Sequence, residues 1–417
     1  MLNRATAALA PPVVASFTNA LMIAAIGVFF FGFFFFSANQ LSSFALGGND
    51  VVYNADTADH FEILAAATNY QNELRDPSLL VKHPLYRPVA TSIFSVLEGT
   101  LPSLDSVQLV QTYLALLGAI SLMLVFWILY TYISNAGLAA LFTVAYGFSL
   151  SSIVFFSIPE TYILSNLALL IFFCFLMHCK DSITPYASVV LAILIAVAGL
   201  FNPTLLSLLL VNIYLLYDKY GLKNSVRYIA MNTMIVFTIF YTPYLFILDS
   251  PVQYTKSYFD IWASMNNFTD LEVYLRVFFL FFVSSIFSPL DQIPSVYQIE
   301  HIVKEGFTVL RAFLYASHAF FMGCSLYFIV KDDNKIVRSM ILWLLCYFLF
   351  YVFFNPYEAE LFSLHMVLPT ILVLLYVYTK LRFRYLRIWA MGFVALVALN
   401  NLAALHEIGT IGLWLPA

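Results

Sequence analysis

Long apolar runs separated by short polar hinges dominate the chain. They fall at 13–37, 106–132, 137–156, 161–179, 186–201, 204–217, 228–248, 307–330, 337–354, 361–378 and 388–405. A helix satisfies its own backbone polar groups, and about 20 apolar residues carry it across a bilayer. The pattern therefore predicts an all-α polytopic membrane protein with about 11 transmembrane helices. One more apolar run, 273–290, contains Arg276 and Pro289 and reads as a re-entrant or interfacial segment. The first run is longer than the ~7–15 residues of a signal-peptide core and no small-residue cleavage site follows it, which predicts a retained first helix. The whole of 1–417 reads as a single transmembrane domain with no soluble domain, and its longest polar interval is 38–105.

Basic residues orient this pattern. The hinges 218–227, 331–338 and 380–387 are rich in Lys and Arg, which predicts a cytoplasmic position for them, for Arg4 and Lys180, and for the N-terminus. Counting spans then gathers 38–105, 157–160, 202–203, 249–272 and 355–360 on the opposite, periplasmic or luminal side. A bacterial inner membrane is the expected location.

Composition strengthens the membrane assignment and removes other classes. The chain is 62% hydrophobic, with 42 Phe and 27 Tyr, more apolar surface than a soluble domain of 417 residues can hide. A net charge of −4 excludes the basic stripe of a nucleic-acid binder. Cys174, Cys179, Cys324 and Cys346 lie in or at the ends of apolar runs without metal-like spacing, and read as small membrane-buried hydrophobes.

Only 10% of residues are charged, against about 25% in an average chain. The interval 54–62 nevertheless holds Asp56, Asp59, His60 and Glu62 directly after the first apolar run. As a helix, it turns Asp56, Asp59 and His60 to one face and Phe61 to another, which suits a helix lying in the membrane interface. Such crowded acids fit a solvated loop with Asp56 as an N-cap, or a site where a carboxylate acts as general base or divalent-ion ligand. Lys82, His83 and Arg87 stand in a stretch stiffened by Pro84 and Pro88. They suit either lipid headgroups or the oxygens of a bound phosphate. Glu160 lies between two apolar runs with almost no loop, facing a polar cavity or capping the next helix. Asn202-Pro203 is ordinary turn chemistry. Glu358 and Glu360 form a second acidic outward hairpin, and His365 follows inside the next span, as a structural hydrogen-bonding group or a catalyst.

Taken in order, these pieces resemble the GT-C superfamily of polytopic glycosyltransferases, especially the branch of protein O-mannosyltransferases and lipid A aminoarabinose transferases. In that branch the first span is followed by an interfacial helix with an acidic Asp-Glu motif, then a Tyr and an acid. Asp56-Thr57-Ala58-Asp59-His60-Phe61-Glu62 is similar, with Asp56 at the catalytic-acid position and Thr57 where the second acid stands. Lys82-His83-Pro84-Leu85-Tyr86 is similar to the Pro-rich motif of the family with one proline missing. Glu160 matches an acid that opens the fourth span. Gly199-Leu200-Phe201-Asn202-Pro203-Thr204 matches a glycine and proline turn, and 355–369 resembles a late segment near the lipid-carrier pocket.

The resemblance implies a GT-C-like fold with interfacial helices in the first outward loop. It implies transfer of a sugar from a polyprenyl-phosphate donor to a glycan, lipid or protein hydroxyl on the non-cytoplasmic face, among membrane lipids. Asp56 would be the general base or would assist a divalent cation, with Glu160 as a second catalytic acid. Lys82, His83 and Arg87 would hold the departing phosphate, since fixed cations stabilise such a leaving group. Asp59, His60, Tyr86, Asn202, Arg276, Glu358 and His365 complete the expected substrate-binding set. Two other classes compete: a transporter or flippase of a lipid-linked or anionic solute, which calls for broken helices, and a non-catalytic scaffold, which Thr57 would suit.

Overall fold

A computed structural model describes residues 17–46, 64, 83–180, 183–247, 271–287, 308–331, 334–354, 363–381 and 385–412. Among these residues there are helices and turns but no strand. Helix α1 is Phe17–Leu46, α2 Tyr86–Thr100, α3 Ser106–Ile133, α4 Ala136–Gly147, α5 Leu150–Phe155, α6 Tyr162–Cys179 and α7 Pro185–Phe201. After a 3-10 turn, Pro203–Leu208, come α8, Leu209–Tyr241, and α9, Tyr244–Ile247. Helix α10, Leu271–Phe279, runs into a π-turn at Leu280–Ser284. The rest are α11, Thr308–Lys331, α12, Lys335–Phe354, α13, Ser363–Lys380, and α14, Leu386–Gly412. Among the described residues seven helices are long and apolar enough to cross a membrane. The chain is an all-α polytopic integral membrane protein.

Local sequence explains several boundaries. Asp105 caps α3 reciprocally with Gln108: its carboxylate accepts the Gln108 N–H at 2.8 Å while the Gln108 side chain accepts the Asp105 N–H at 3.3 Å. Thr184 caps α7 ahead of Pro185, whose missing N–H is harmless in the first turn. In α2, Tyr86, Ala90 and Phe94 recur every fourth residue and bury one face, as expected of a helix lying against the bundle. Helix α1 runs on to Leu46, well beyond the apolar run that ends at 37, because Ala38 and Leu41 keep its buried face going.

Helix α13 is the axis of the bundle. Every residue from Ser363 to Tyr378 is buried, so no side of it faces lipid over that length. Helices α11 and α12 pack against it, and α3 is sandwiched between α1 and α6. The α1 contact uses phenylalanines seated on glycines. Phe34 approaches Gly118 of α3, where a Cβ would stand 2.6 Å from its ring, and Phe30 presses still closer on Gly147 of α4.

Three elements depart from simple spans. The apolar run 137–156 is two helices, α4 and α5, broken at Phe148–Ser149 where the Ser149 hydroxyl caps α5. The 39 residues Pro203–Tyr241 would reach about 58 Å if straight, near twice the bilayer core. They are interrupted at Gly221, whose φ of 70° and ψ of 167° belong to no helix. The run 273–290 is described as far as Phe287, as a short helix and a π-turn ending in turns.

The breaks satisfy one another inside the bundle. The first N–H groups of α5, those of Leu150 and Ser151, donate to the carbonyls of Ile286 (3.1 Å) and Ser285 (3.3 Å). The amide nitrogen of Asn401 on α14 donates to the carbonyls of Phe148 and Ile286, both at 2.7 Å. Non-helical backbone at this depth survives only when its polar groups are met by protein, and here one asparagine and one turn meet them.

At one end of the helices lie the basic hinges. Lys180 donates to the Thr131 carbonyl at 2.7 Å and Lys219 to that of Ile183 at 2.5 Å, while Lys335 pairs with Asp218 to join two of the hinges. The turns at the other end carry the residues considered next.

Candidate functional site

The amino end of α2 docks on the carboxyl end of α7. His83 Nδ1 stands 2.6 Å from the carbonyl of Phe201, and the Leu85 N–H donates to the carbonyl of Leu200 at 3.2 Å. A carbonyl only accepts, so Nδ1 carries the hydrogen. His83 thus covers a carbonyl that the helix end leaves open. Arg87, half-buried, follows one turn later.

Tyr86 is fully buried at the start of α2. Burial, then the Tyr113 phenol, then the Glu160 carboxylate hold its ionisation well above the ordinary tyrosine range, so its hydroxyl keeps its proton. Glu160 is itself only 4% exposed, in the turn between α5 and α6. Its carboxylate accepts the Thr161 N–H at 3.0 Å, at the amino end of α6 where a negative charge is favoured. Tyr113, on α3, is buried, and its hydroxyl has no hydrogen-bond partner among the described residues.

A second set of side chains crosses four elements. His365 on α13, wholly buried, has Ser165 Oγ of α6 2.8 Å from Nε2 and the Tyr347 hydroxyl of α12 2.8 Å from Nδ1. That hydroxyl lies 3.0 Å from Thr204 Oγ1, which donates to Asn202 Oδ1 at 2.8 Å. The same Asn202 oxygen accepts the Thr204 N–H at 3.1 Å, so Asn202 both ends α7 and starts the 3-10 turn. Its side-chain nitrogen has no partner among the described residues. Pro369 lacks the N–H that would bond the His365 carbonyl, which loosens α13 at this histidine. The two sets meet at the α7 terminus, because Phe201, which His83 contacts, precedes Asn202.

Of the expected site residues, His83, Tyr86, Arg87, Glu160, Asn202 and His365 are described, and all but Arg87 have contacts or charge relations in these two sets. Arg276 lies on α10, where only its backbone is described. Asp56, Asp59, His60, Lys82 and Glu358 lie outside the described residues, as do Glu62 and Glu360. Among the described residues no three His, Cys, Asp or Glu side chains gather to hold a metal ion. Asp56, the expected ligand, is not among them.

Sequence reasoning passed over Tyr113, Ser165, Thr204 and Tyr347. Each sits within or beside an apolar run as an uncharged polar residue, and the available signal was that a polar group inside a span needs a partner. Comparison of the chain with family models, curated proteins and solved structures finds no match in any of the three.

Proposed function

We propose that the chain is a glycosyltransferase of GT-C-like architecture. In this reading it moves a sugar from a polyprenyl-phosphate donor to an acceptor hydroxyl on the non-cytoplasmic face of a membrane, in bacteria the inner one. The observation that carries the reading is the meeting of outward turns far apart in sequence: His83 bonds Phe201, Tyr86 feels Glu160, and Asn202 connects through Thr204 and Tyr347 to His365. A composite site built from several hairpins is what a reaction between a lipid carrier and a separate acceptor requires.

Eleven spans follow if α4 with α5 counts as one, the two arms of Pro203–Tyr241 on either side of Gly221 count as two, and α10 does not cross. The N-terminus is then cytoplasmic. Asp56 is the general base on the acceptor, or the ligand of a divalent cation, and Glu160 is the second acid. Lys82 and Arg87 hold the departing phosphate. His83, whose Nδ1 hydrogen is engaged by Phe201, contributes through Nε2 of the imidazolium. Asp59, His60, Tyr86, Asn202, Arg276, Glu358 and His365 line the donor and acceptor.

The test incubates purified protein with polyprenyl-phosphate sugars and candidate acceptors and measures release of the carrier phosphate. Asp56→Asn is expected to lower the rate by about 100-fold or more; equal rates would remove Asp56 from the mechanism. A transporter is the second reading, favoured by the break between α4 and α5 and its stitching to the π-turn segment. Solute uptake into proteoliposomes without carrier-phosphate release would decide for it.

A further inference from the structure

A cleft of about 430 Å³ opens between the end of α1 and the start of α3, within the size range of small-ligand sites. Its walls include Phe35 and Phe36, and its polar groups are Asn39, Asp105, Gln108 and Gln111. Gln111 is the informative member. It is only 6% exposed, it lines the cleft, and its amide makes no hydrogen bond among the described residues. Its amide atoms are reached from the cleft, so a polar partner there can meet them.

Elimination narrows the partner. Among the described residues no cation lines the cleft, and Asp105 adds a negative charge that disfavours a phosphate or other anion. A prenyl chain would leave the amides of Gln108 and Gln111 facing hydrocarbon. The Asp105 carboxylate is already engaged by the Gln108 N–H at 2.8 Å and stands alone, a poor cage for a metal ion. A neutral molecule rich in hydroxyls matches the lining best: each hydroxyl both donates and accepts, as does each amide of Asn39, Gln108 and Gln111, and the phenylalanine rings cover the C–H face of a pyranose.

We propose that this cleft is a neutral-sugar subsite, holding a glycan acceptor at the end of α3. It rests on the glycosyltransferase reading and names the acceptor class for it. Tyr113, two residues beyond Gln111, brings α3 to Tyr86 and Glu160, so the subsite borders the end where transfer would occur.

The test uses the full chain in phosphatidylcholine nanodiscs and saturation-transfer NMR, with methyl α-mannoside, maltose and N-acetylglucosamine as probes and glucose 1-phosphate as the anionic counter-probe. At least one neutral sugar is expected to bind, with glucose 1-phosphate about tenfold weaker or more. Gln111→Leu, close in volume, is expected to weaken binding by about tenfold, and Phe36→Ala, at an exposed position, by about fivefold. Binding unchanged in both variants, no saturation transfer to any neutral sugar, or equal binding of glucose 1-phosphate would each overturn the assignment. A signal that appears only when phosphatidylinositol is added to the disc would overturn it too, by making the cleft a headgroup shelf. None of these readouts needs catalysis. If the wild-type chain released no carrier phosphate from any donor, the transferase reading would fall while sugar binding at Gln111 stood or fell by itself.

Discussion

The imidazole of His365 on α13 lies 2.8 Å from the hydroxyl of Tyr347 on α12, with Ser165 of α6 at the same distance from its other nitrogen. One neutral ring offers one donor and one acceptor, and the two hydroxyls can take either part. Because Asn202 Oδ1 only accepts, the line runs one way: Thr204 donates to it, Tyr347 to Thr204, the His365 Nδ1–H to Tyr347, and Ser165 to Nε2. The ring ties three helices to the turn on which α2 docks.

Removing that ring should loosen the turn. His365→Ala leaves a cavity and two hydroxyls short of a partner, for an expected loss of about 2–4 kcal/mol. His365→Gln, which keeps a donor and an acceptor, should lose less than half of that. Thermal unfolding in detergent checks the order. Hydrogen exchange adds a local readout, since the Leu85 amide, bonded to Leu200, should exchange faster in the alanine variant. Equal stability of His365→Ala and wild type would mean that the line bears no stress.

Asn401 is expected to matter more than its neighbour Asn400. Its nitrogen serves the carbonyls of both Phe148 and Ile286, and Asn401→Leu strips both at a break where no helix bond replaces them. A loss of about 2–3 kcal/mol is expected, larger than for Asn400→Leu, whose bond to the Asn401 side chain does not reach the backbone of the break. Urea or SDS titration of the purified variants measures both.

Much of this fold was legible in the sequence, because apolar runs of membrane length and basic hinges follow directly from the cost of placing backbone and charge in lipid. The break between α4 and α5 was not. Gly147-Phe148-Ser149 sits in an apolar run, and what interrupts the helix is remote: Ile286, Ser285 and Asn401 offer its backbone partners that no local pattern reveals. The site was half legible for the same reason. Glu160 and His83 stood out as charge in an apolar chain, and Asn202 as a turn residue. Tyr347, Thr204 and Ser165 carry no charge and look like any polar residue in a span, so only their meeting with His365 marks them.

Two glycines should respond oppositely to alanine. At Gly147 a Cβ would run into the Phe30 ring, which is itself buried among Phe29, Phe33, Phe34 and Phe148 and has little room to shift. Gly147→Ala should cost about 1–3 kcal/mol. At Gly392 a Cβ meets nothing within 4 Å, and alanine there should be neutral or stabilising by up to about 1 kcal/mol through helix propensity. Melting temperatures of the two variants side by side test the packing of α1 on α4, and equal shifts would refute it.

The buried phenol of Tyr86 makes stability fall in alkali. In the unfolded chain a tyrosine ionises near pH 10, whereas in the folded state burial, Tyr113 and Glu160 hold the proton on Tyr86 well above that. The folded state therefore binds the proton more tightly. Its contribution is complete below about pH 10 and is lost as the pH climbs from there towards the raised folded value, by up to about 1.4 kcal/mol per pH unit. Tyr86→Phe should lose about 1 kcal/mol or less at neutral pH and should flatten the alkaline fall. Glu160→Gln should soften it only slightly, since the carboxylate acts after burial and after Tyr113. Unfolding midpoints of the three proteins between about pH 8 and 11 provide the measurement. If wild type and Tyr86→Phe declined in parallel, the proton on Tyr86 would not be the one that the folded state protects.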